Sequence, residues 1–303
     1  MVRKMKVVIS GSHGLVGSDL GQALKAAGHD LFTLVRRAPR SQFEIQWSPD
    51  QRLNTSLLDG MDAIVHLAGE SIATGRWTET KKQRIHDSRV RATNLLSEAL
   101  ASLKAPPKVL VCASAIGYYG DRGDELLTET SAPGNDFLAG VCVDWEKATA
   151  AAAEKGIRVV NARLGVVLSK DGGALKKMLP AFRMGVGGRV GSGKQWLSWI
   201  ALGDVVGALK LALVNDSLSG PINVVAPNPV TNAEFTTTLG KVLSRPTLLP
   251  VPAFGARLAF GEMADALLLS SQRVEPRRLK EAGFDFQHSK LEQALQSILA
   301  QSS

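Results

Sequence analysis

The segment Ser10-Gly11-Ser12-His13-Gly14-Leu15-Val16-Gly17 follows a short apolar run and precedes a helical pattern. Its glycines are spaced G-x-x-G-x-x-G. In a strand-loop-helix context the three glycines serve a tight turn, close backbone approach to a pyrophosphate, and close packing of helix on strand. The pyrophosphate then meets unpaired N–H groups and the positive end of the helix dipole. This predicts a dinucleotide site formed by Gly11, Ser12, His13, Gly14, Leu15 and Val16. The end of the second strand selects the dinucleotide. An NAD site puts Asp or Glu there, on the ribose 2′-hydroxyl. Here Leu34-Val35-Arg36-Arg37 ends the strand, and Asp30 lies at its other end. Two guanidiniums suit a 2′-phosphate, which arginine grips in bidentate fashion, so NADP(H) is expected over NAD(H).

Ser114 ends a later apolar run, and the chain's two tyrosines, Tyr118 and Tyr119, follow it. A hydroxyl at that point can hydrogen-bond a substrate carbonyl or alcohol. Tyr118 can pass a proton if a nearby cation lowers its pKa, or it can simply pack with its hydroxyl satisfied. Residues 187–193, with Arg189 and Lys194, read either as an anion-binding nest or as a structural hairpin. Trp196 and Trp199 are candidate pocket walls, and Val167 is expected near the nicotinamide. Trp47 and Trp145 read as packing residues, His66 as packed and satisfied, and Arg163 as a bridge from strand to loop. Asp121, Asp124 and Glu129 read as solvated loop carboxylates. No His, Cys, Asp or Glu pair has metal-ligand spacing, so no metal is expected.

The elements that must position these groups alternate. Short apolar runs at 6–10, 30–35, 43–47, 62–67, 109–114 and 157–164 are separated by helical patterns at 15–27, 79–103 and 137–155. That pattern predicts an α/β, doubly wound Rossmann-type parallel sheet, buried on both faces and built with right-handed crossovers. A helix near 204–214 and a strand at 221–225 are expected to return to the sheet. Helical patterns at 232–243, 253–269, 276–282 and 291–299 give a smaller, mostly helical C-terminal lobe. The expected division is a cofactor domain over 1–168, joined by 201–226, and a substrate lobe over 169–200 and 227–303.

Composition narrows the partners. The 303 residues are 45% hydrophobic and 21% charged, which excludes a disordered or fibrous chain. The net charge of +8 is scattered, and aromatics are only 5% with no aromatic-basic interleaving, so nucleic acid is not expected. Val7-Val8-Ile9 is too short for a signal peptide, and no run reaches about 18 apolar residues, so no membrane span is expected. Two cysteines, Cys112 and Cys142, make no disulfide framework and suit a cytoplasmic location.

The chain resembles the extended short-chain dehydrogenases/reductases. His66-Leu67-Ala68-Gly69 matches that group's adenine-side motif, adding Leu67, Ala68 and Gly69 to the cofactor residues, and Ser114-Ala115-Ile116-Gly117-Tyr118 matches its serine strand. Trp77-Thr78, Ser88-Arg89-Val90, residues 187–195, Trp199-Ile200 and Asp204 resemble one atypical subfamily, the epimerase-like family 39U. Further matches in the tail are residues 232–235, Pro250-Val251-Pro252, Gly261-Glu262 and Ala282-Gly283-Phe284. The resemblance implies Arg89 toward the cofactor, in a place where the group often has Asn. It also implies that the group's Tyr-x-x-x-Lys pair falls on Phe137 and Val141, neither of which carries a proton. The expected function is an NADP(H)-dependent oxidoreductase or epimerase-like protein, with Ser114 and Tyr118 as candidate catalytic residues. Its partner is a small molecule, with an anionic group as one reading, and the state is a monomer or a homodimer. The alternative is a non-catalytic NADP(H)-binding sensor.

Overall fold

In the computed structural model, which describes residues 4–48 and 53–300, the apolar runs form strands because they can bury both faces at once. The first half gives β1 (Lys6–Ser10), α1 (Leu15–Ala26), β2 (Asp30–Val35), β3 (Glu44–Gln46) and β4 (Ala63–His66). It continues through α2 (Glu79–Asp87), α3 (Val90–Ala101), β5 (Val109–Ala115), β6 (Leu126–Leu127), α4 (Phe137–Lys147), α5 (Ala150–Glu154) and β7 (Arg158–Leu164). The second half adds β8 (Val166–Leu168), α6 (Gly173–Arg183), β9 (Trp196–Leu197), β10 (Trp199–Ala201), α7 (Leu202–Val214), β11 (Gly220–Val224) and β12 (Val230–Thr231). It closes with α8 (Asn232–Leu243), α9 (Ala253–Phe260), α10 (Glu262–Ala264), β13 (Arg273–Val274), α11 (Arg277–Glu281) and α12 (Leu291–Ala300).

Seven strands form one sheet in the order β11-β7-β5-β4-β1-β2-β3, with every neighbouring pair parallel. Alternate residues supply opposite faces, as the period of two requires. Val7 and Ile9 join Leu20, Leu24 and Leu209 in one core, whereas Val8 joins Leu96, Leu100 and Leu110 in the other. The doubly wound Rossmann-type expectation holds. Strand order reverses between β1 and β4, so their carboxyl ends open a crevice where such sheets bind ligands.

The turn out of β1 is tight. A Cβ on Gly17 would lie 2.2 Å from the Gly11 carbonyl oxygen, and one on Gly11 (φ +72°) would lie 2.8 Å from the Ala68 nitrogen. Gly17→Ala is therefore expected to lower stability by about 1–3 kcal/mol, because backbone on both sides must shift. Urea denaturation checks this, and a midpoint equal to wild type would refute it.

Three expected helices are divided. The 79–103 pattern breaks after Asp87, where the Ser88 hydroxyl turns aside to donate to the Ile85 carbonyl and accept from the Glu70 N–H. The 137–155 pattern breaks at Ala148 and Thr149, where the Thr149 hydroxyl bonds the Glu146 carbonyl. The 253–269 pattern breaks at Gly261, whose φ of +61° no helix accepts.

Trp199 is a core residue rather than a pocket wall. It is fully buried with Leu175, Phe182, Phe235 and Leu295, and its indole N–H reaches the Asn228 carbonyl at 3.0 Å. The tail is tied back over long sequence distances. The buried Asp204 carboxylate accepts N–H bonds from Gln287 and His288 at 2.8 and 3.0 Å. Glu129 is also buried, against the solvated reading. Its Oε1 accepts the N–H groups of Asn223 and Arg278. No helix among the described residues is long and apolar enough to cross a membrane.

Candidate functional site

A cleft of about 600 Å³ opens at the carboxyl ends of β2, β1 and β4. Of the residues expected at the cofactor, Gly11, His13, Gly14, Arg36, Arg37, Leu67, Ala68 and Gly69 line it. Ser10, Leu34, Val35, Trp47, Glu70 and Ser88 line it as well. Gly14 has only the Gly11 carbonyl within 4 Å of where a Cβ would stand, so bare backbone faces the cleft there. The exposed His13 touches only the neighbouring Ser12 hydroxyl among the described residues, at 3.3 Å. Three other predicted residues turn elsewhere. Leu15 packs under Gly172, and Val16 and Val167 pack against the core. Ser12 is half-buried beside the cleft and is not among its lining residues.

The two arginines behave differently. Arg37 donates both guanidinium nitrogens to Glu44, at 2.7 and 2.6 Å, and that bond holds the Glu44 carboxyl at about 2. Arg36 is exposed and makes no hydrogen bond or ion pair among the described residues. The expected pair of guanidiniums is thus one uncommitted cation and one that already has a carboxylate. Arg89 lies against the underside of Gly69, with its guanidinium 5.1 Å from the Trp145 ring and bonded to the Ile85 carbonyl. Burial lowers its pKa. It supports the floor of the cleft and is not among its lining residues.

His66 departs from the satisfied reading. Ser10 Oγ accepts from the Leu67 and Ala68 N–H groups, so its own proton goes to His66 Nδ1 at 2.6 Å. The hydrogen of the neutral ring is then on Nε2, which is buried without a partner. Burial pushes the pKa of His66 down to about 4.

Ser114 and Tyr118 stand in a second polar cluster at the carboxyl end of β5, the strand beside β4, and are not among the residues that line the cleft. The buried Ser114 hydroxyl donates to Glu146 Oε1 at 2.7 Å. Glu146 also takes a two-pronged bond from Arg163, at 2.7 and 2.8 Å. Burial opposes the Arg163 charge, and the bonds to Glu146 and Tyr119 outweigh it, raising its pKa. The same guanidinium lies 3.5 Å from the centre of the Tyr118 ring. Tyr119 is closed off. Its hydroxyl donates to Asn223 at 2.6 Å, and burial pushes its pKa to about 12. Tyr118 is half-buried, and its hydroxyl has no partner among the described residues.

Phe137, the first residue of α4, packs edge-on to Trp77 at 5.4 Å and under the Lys82 ammonium at 5.4 Å. Val141 is buried. In the glycine-rich loop, the N–H groups of Gly187, Val190, Gly191 and Gly193 already bond to Ala181, Asn232, Val251 and Val190. Those bonds tie the loop to α6, α8 and the segment before α9, so it is a braced loop and not a hairpin, and they remove the nest reading for those donors. Trp196 donates to Asp124 at 2.7 Å and carries the Arg273 guanidinium over its ring. Among the described residues no group of three or more His, Cys, Asp or Glu can hold a metal ion.

Sequence reasoning missed Glu70 and the Ser114–Glu146–Arg163 chain. Glu70 had an available signal, standing directly behind Gly69. The chain had none, since its members come from β5, α4 and β7.

Comparison with known proteins is consistent with this geometry. The model for the NAD dependent epimerase/dehydratase family matches residues 7–225, and a model for a domain of unknown function, DUF1731, matches residues 251–298. The chain is 48% identical over 290 residues to the Mycobacterium bovis epimerase family protein Mb2239, covering 95% of this chain and 96% of that one. A crystal structure of human epimerase family protein SDR39U1 (isoform2) with NADPH superimposes with a TM-score of 0.90 at 35% identity, covering 97% of this chain and 99% of that chain. The nucleoside-diphosphate sugar epimerase from Corynebacterium glutamicum gives a TM-score of 0.81 at 40% identity, covering 97% of this chain and 57% of that longer chain.

Proposed function

This chain belongs to the NAD dependent epimerase/dehydratase family, and on that premise we propose that it binds NADP(H) in the cleft and acts on a small molecule beside it. The single observation that carries the cofactor choice is Arg36. It stands uncommitted at the end of β2, where an NAD site would hold a carboxylate. The turn from Gly11 to Gly14 would hold the pyrophosphate on its backbone N–H groups other than that of Gly14, which bonds the Gly11 carbonyl, and Leu67 to Gly69 would cover the adenosine side. When bound, the nicotinamide supplies hydride chemistry.

The chain's own residues then have limited means of moving a proton. Phe137 and Val141 have none, and the Ser114 proton is directed at Glu146. Tyr118, with the Arg163 cation against its ring and an unbonded hydroxyl, is the candidate acid/base for an oxidoreductase or epimerase-like reaction. Segments 169–200 and 227–303 would shape the substrate side, where the exposed Arg189 and Lys194 favour an anionic group. The buried thiols of Cys112 and Cys142, both pushed to about 12 by burial, suit a reducing, cytoplasmic setting.

A sensor that holds NADP(H) without turnover is the second reading. It is favoured by Ser114 being tied to Glu146 and by Phe137 packing against Trp77.

Fluorescence titration with NADPH and NADH is expected to give at least tenfold tighter binding of NADPH. Equal affinities would overturn the choice. A subsequent screen of aldehydes, ketones and nucleotide sugars for cofactor consumption separates enzyme from sensor. Turnover that disappears in Tyr118→Phe supports the enzyme, and binding with no turnover supports the sensor.

A further inference from the structure

We infer that Glu70, fixed by the buried Lys81, is a second anchor for the dinucleotide, accepting hydrogen bonds from the hydroxyls of the nicotinamide-side ribose. This rests on the cofactor reading above. In strand order the cleft runs from Arg36 at the end of β2, past the glycine turn after β1, to Gly69 and Glu70 beyond β4. A dinucleotide with its adenosine 2′-phosphate at Arg36 and its pyrophosphate at the glycine turn therefore brings its second ribose to the β4 side. That is the side on which Glu70 lines the wall.

The carboxylate there is held from both ends. The Glu70 N–H donates to the Ser88 hydroxyl at 2.9 Å, which fixes its backbone. Its Oε1 takes a 2.6 Å bond from Lys81 Nζ, and its Oε2 has no partner among the described residues. The Lys81 side chain is only 6% exposed, although its neighbour Lys82 reaches out to Glu262. Burying an ammonium is costly unless it is paired, and among the described residues this ammonium pairs with Glu70.

A bare carboxylate would repel a diphosphate. One neutralised by a buried ammonium does not, and it keeps an oxygen for neutral hydroxyl donors. Carboxylates recognise ribose hydroxyls in this way at the adenosine end of NAD sites. The bond from Lys81 also holds the Glu70 carboxyl below its ordinary range, with Arg84 and Arg89 adding to it. That makes Glu70 a poor proton acceptor near neutrality and a steady hydrogen-bond acceptor.

The test compares two ligands on the whole chain. NADPH carries the second ribose, and adenosine 2′,5′-bisphosphate lacks it. Glu70→Gln is expected to weaken NADPH by about ten- to hundredfold, the loss typical of a hydrogen bond to a charged group, and to leave the bisphosphate unchanged. Lys81→Met should weaken NADPH more than the bisphosphate, because Glu70 then loses its fixed position as well as the cation that neutralises it. Glu70→Asp, which keeps the charge, should recover part of the loss and guards against a folding defect in the first variant. Equal weakening of both ligands would show that Glu70 only shapes the loop, and no weakening would also overturn the inference. If wild type fails to bind NADPH, the cofactor reading itself falls. If wild type binds and Glu70→Gln matches it, only the anchor falls.

Discussion

Arg36→Ala is expected to weaken NADPH binding by about 10- to 100-fold while leaving NADH within about twofold, because it removes a charge-assisted contact that only the 2′-phosphate can make. The contrast with Arg37 makes the expectation specific. Arg37 already spends its fork on Glu44, so it has less to offer an anion than its position suggests. Arg37→Ala removes that bond and leaves Glu44, next to the lining position 37, with Arg40 as its remaining partner, so it too weakens NADPH, but by repulsion. The two effects separate by adding Glu44→Gln. That change restores binding in the Arg37→Ala background and does nothing for Arg36→Ala. Isothermal titration of the four variants decides the matter, and unchanged NADPH affinity in Arg36→Ala would remove the basis for the cofactor choice.

The largest loss of stability is expected from Arg163→Met, by about 3–5 kcal/mol, because it leaves the Glu146 carboxylate buried with no cation. Both partners are removed from water, with side-chain exposures of 3% for Arg163 and 13% for Glu146. The damage reaches further than one pair. Arg163 also bonds the Tyr119 hydroxyl at 3.0 Å and the Glu129 carbonyl at 3.3 Å, so β7, the turn after β5 and the loop to α4 lose a common tie. Removing both charges in Glu146→Leu/Arg163→Met should recover most of the loss, since a well-packed apolar pair is often no worse than a buried ion pair. Guanidinium denaturation of the three proteins is the measurement. A single variant within about 1 kcal/mol of wild type would mean that the cluster is not held together by charge.

These two arginines mark how far the sequence could be read. The glycine turn and the βαβ alternation were legible because each depends on residues a few positions apart, where backbone geometry is set locally. Arg36 was legible for the same reason. The commitment of Arg37 to Glu44 was not, since it depends on how β3 lies beside β2. Trp199 and Glu129 were misread because polarity and aromaticity alone do not tell whether a loop residue will be covered. Trp199 is covered by α8 and α12, and Glu129 meets backbone N–H groups from β11 and α11. The helix breaks at Ser88 and Thr149 were hidden because serine and threonine continue a helical pattern while their hydroxyls compete for its carbonyls. Ser114 stood where the resemblance put it, at the end of β5, but its hydroxyl partner comes from a helix 32 residues later.

The long-range ties of the tail set the order in which the chain can mature during synthesis. Asp204 is made 83 residues before Gln287, and Glu129 is made 149 residues before Arg278. While the ribosome is still producing the last helices, both carboxylates lack donors that the finished protein gives them, and water must serve instead. A nascent chain that has already completed its seven strands therefore stays open at the β11 edge until residues 278–288 emerge. Nonsense mutations or stalls that end the chain between β11 and His288 should then yield products cleared by proteases, although the whole nucleotide cradle has been translated.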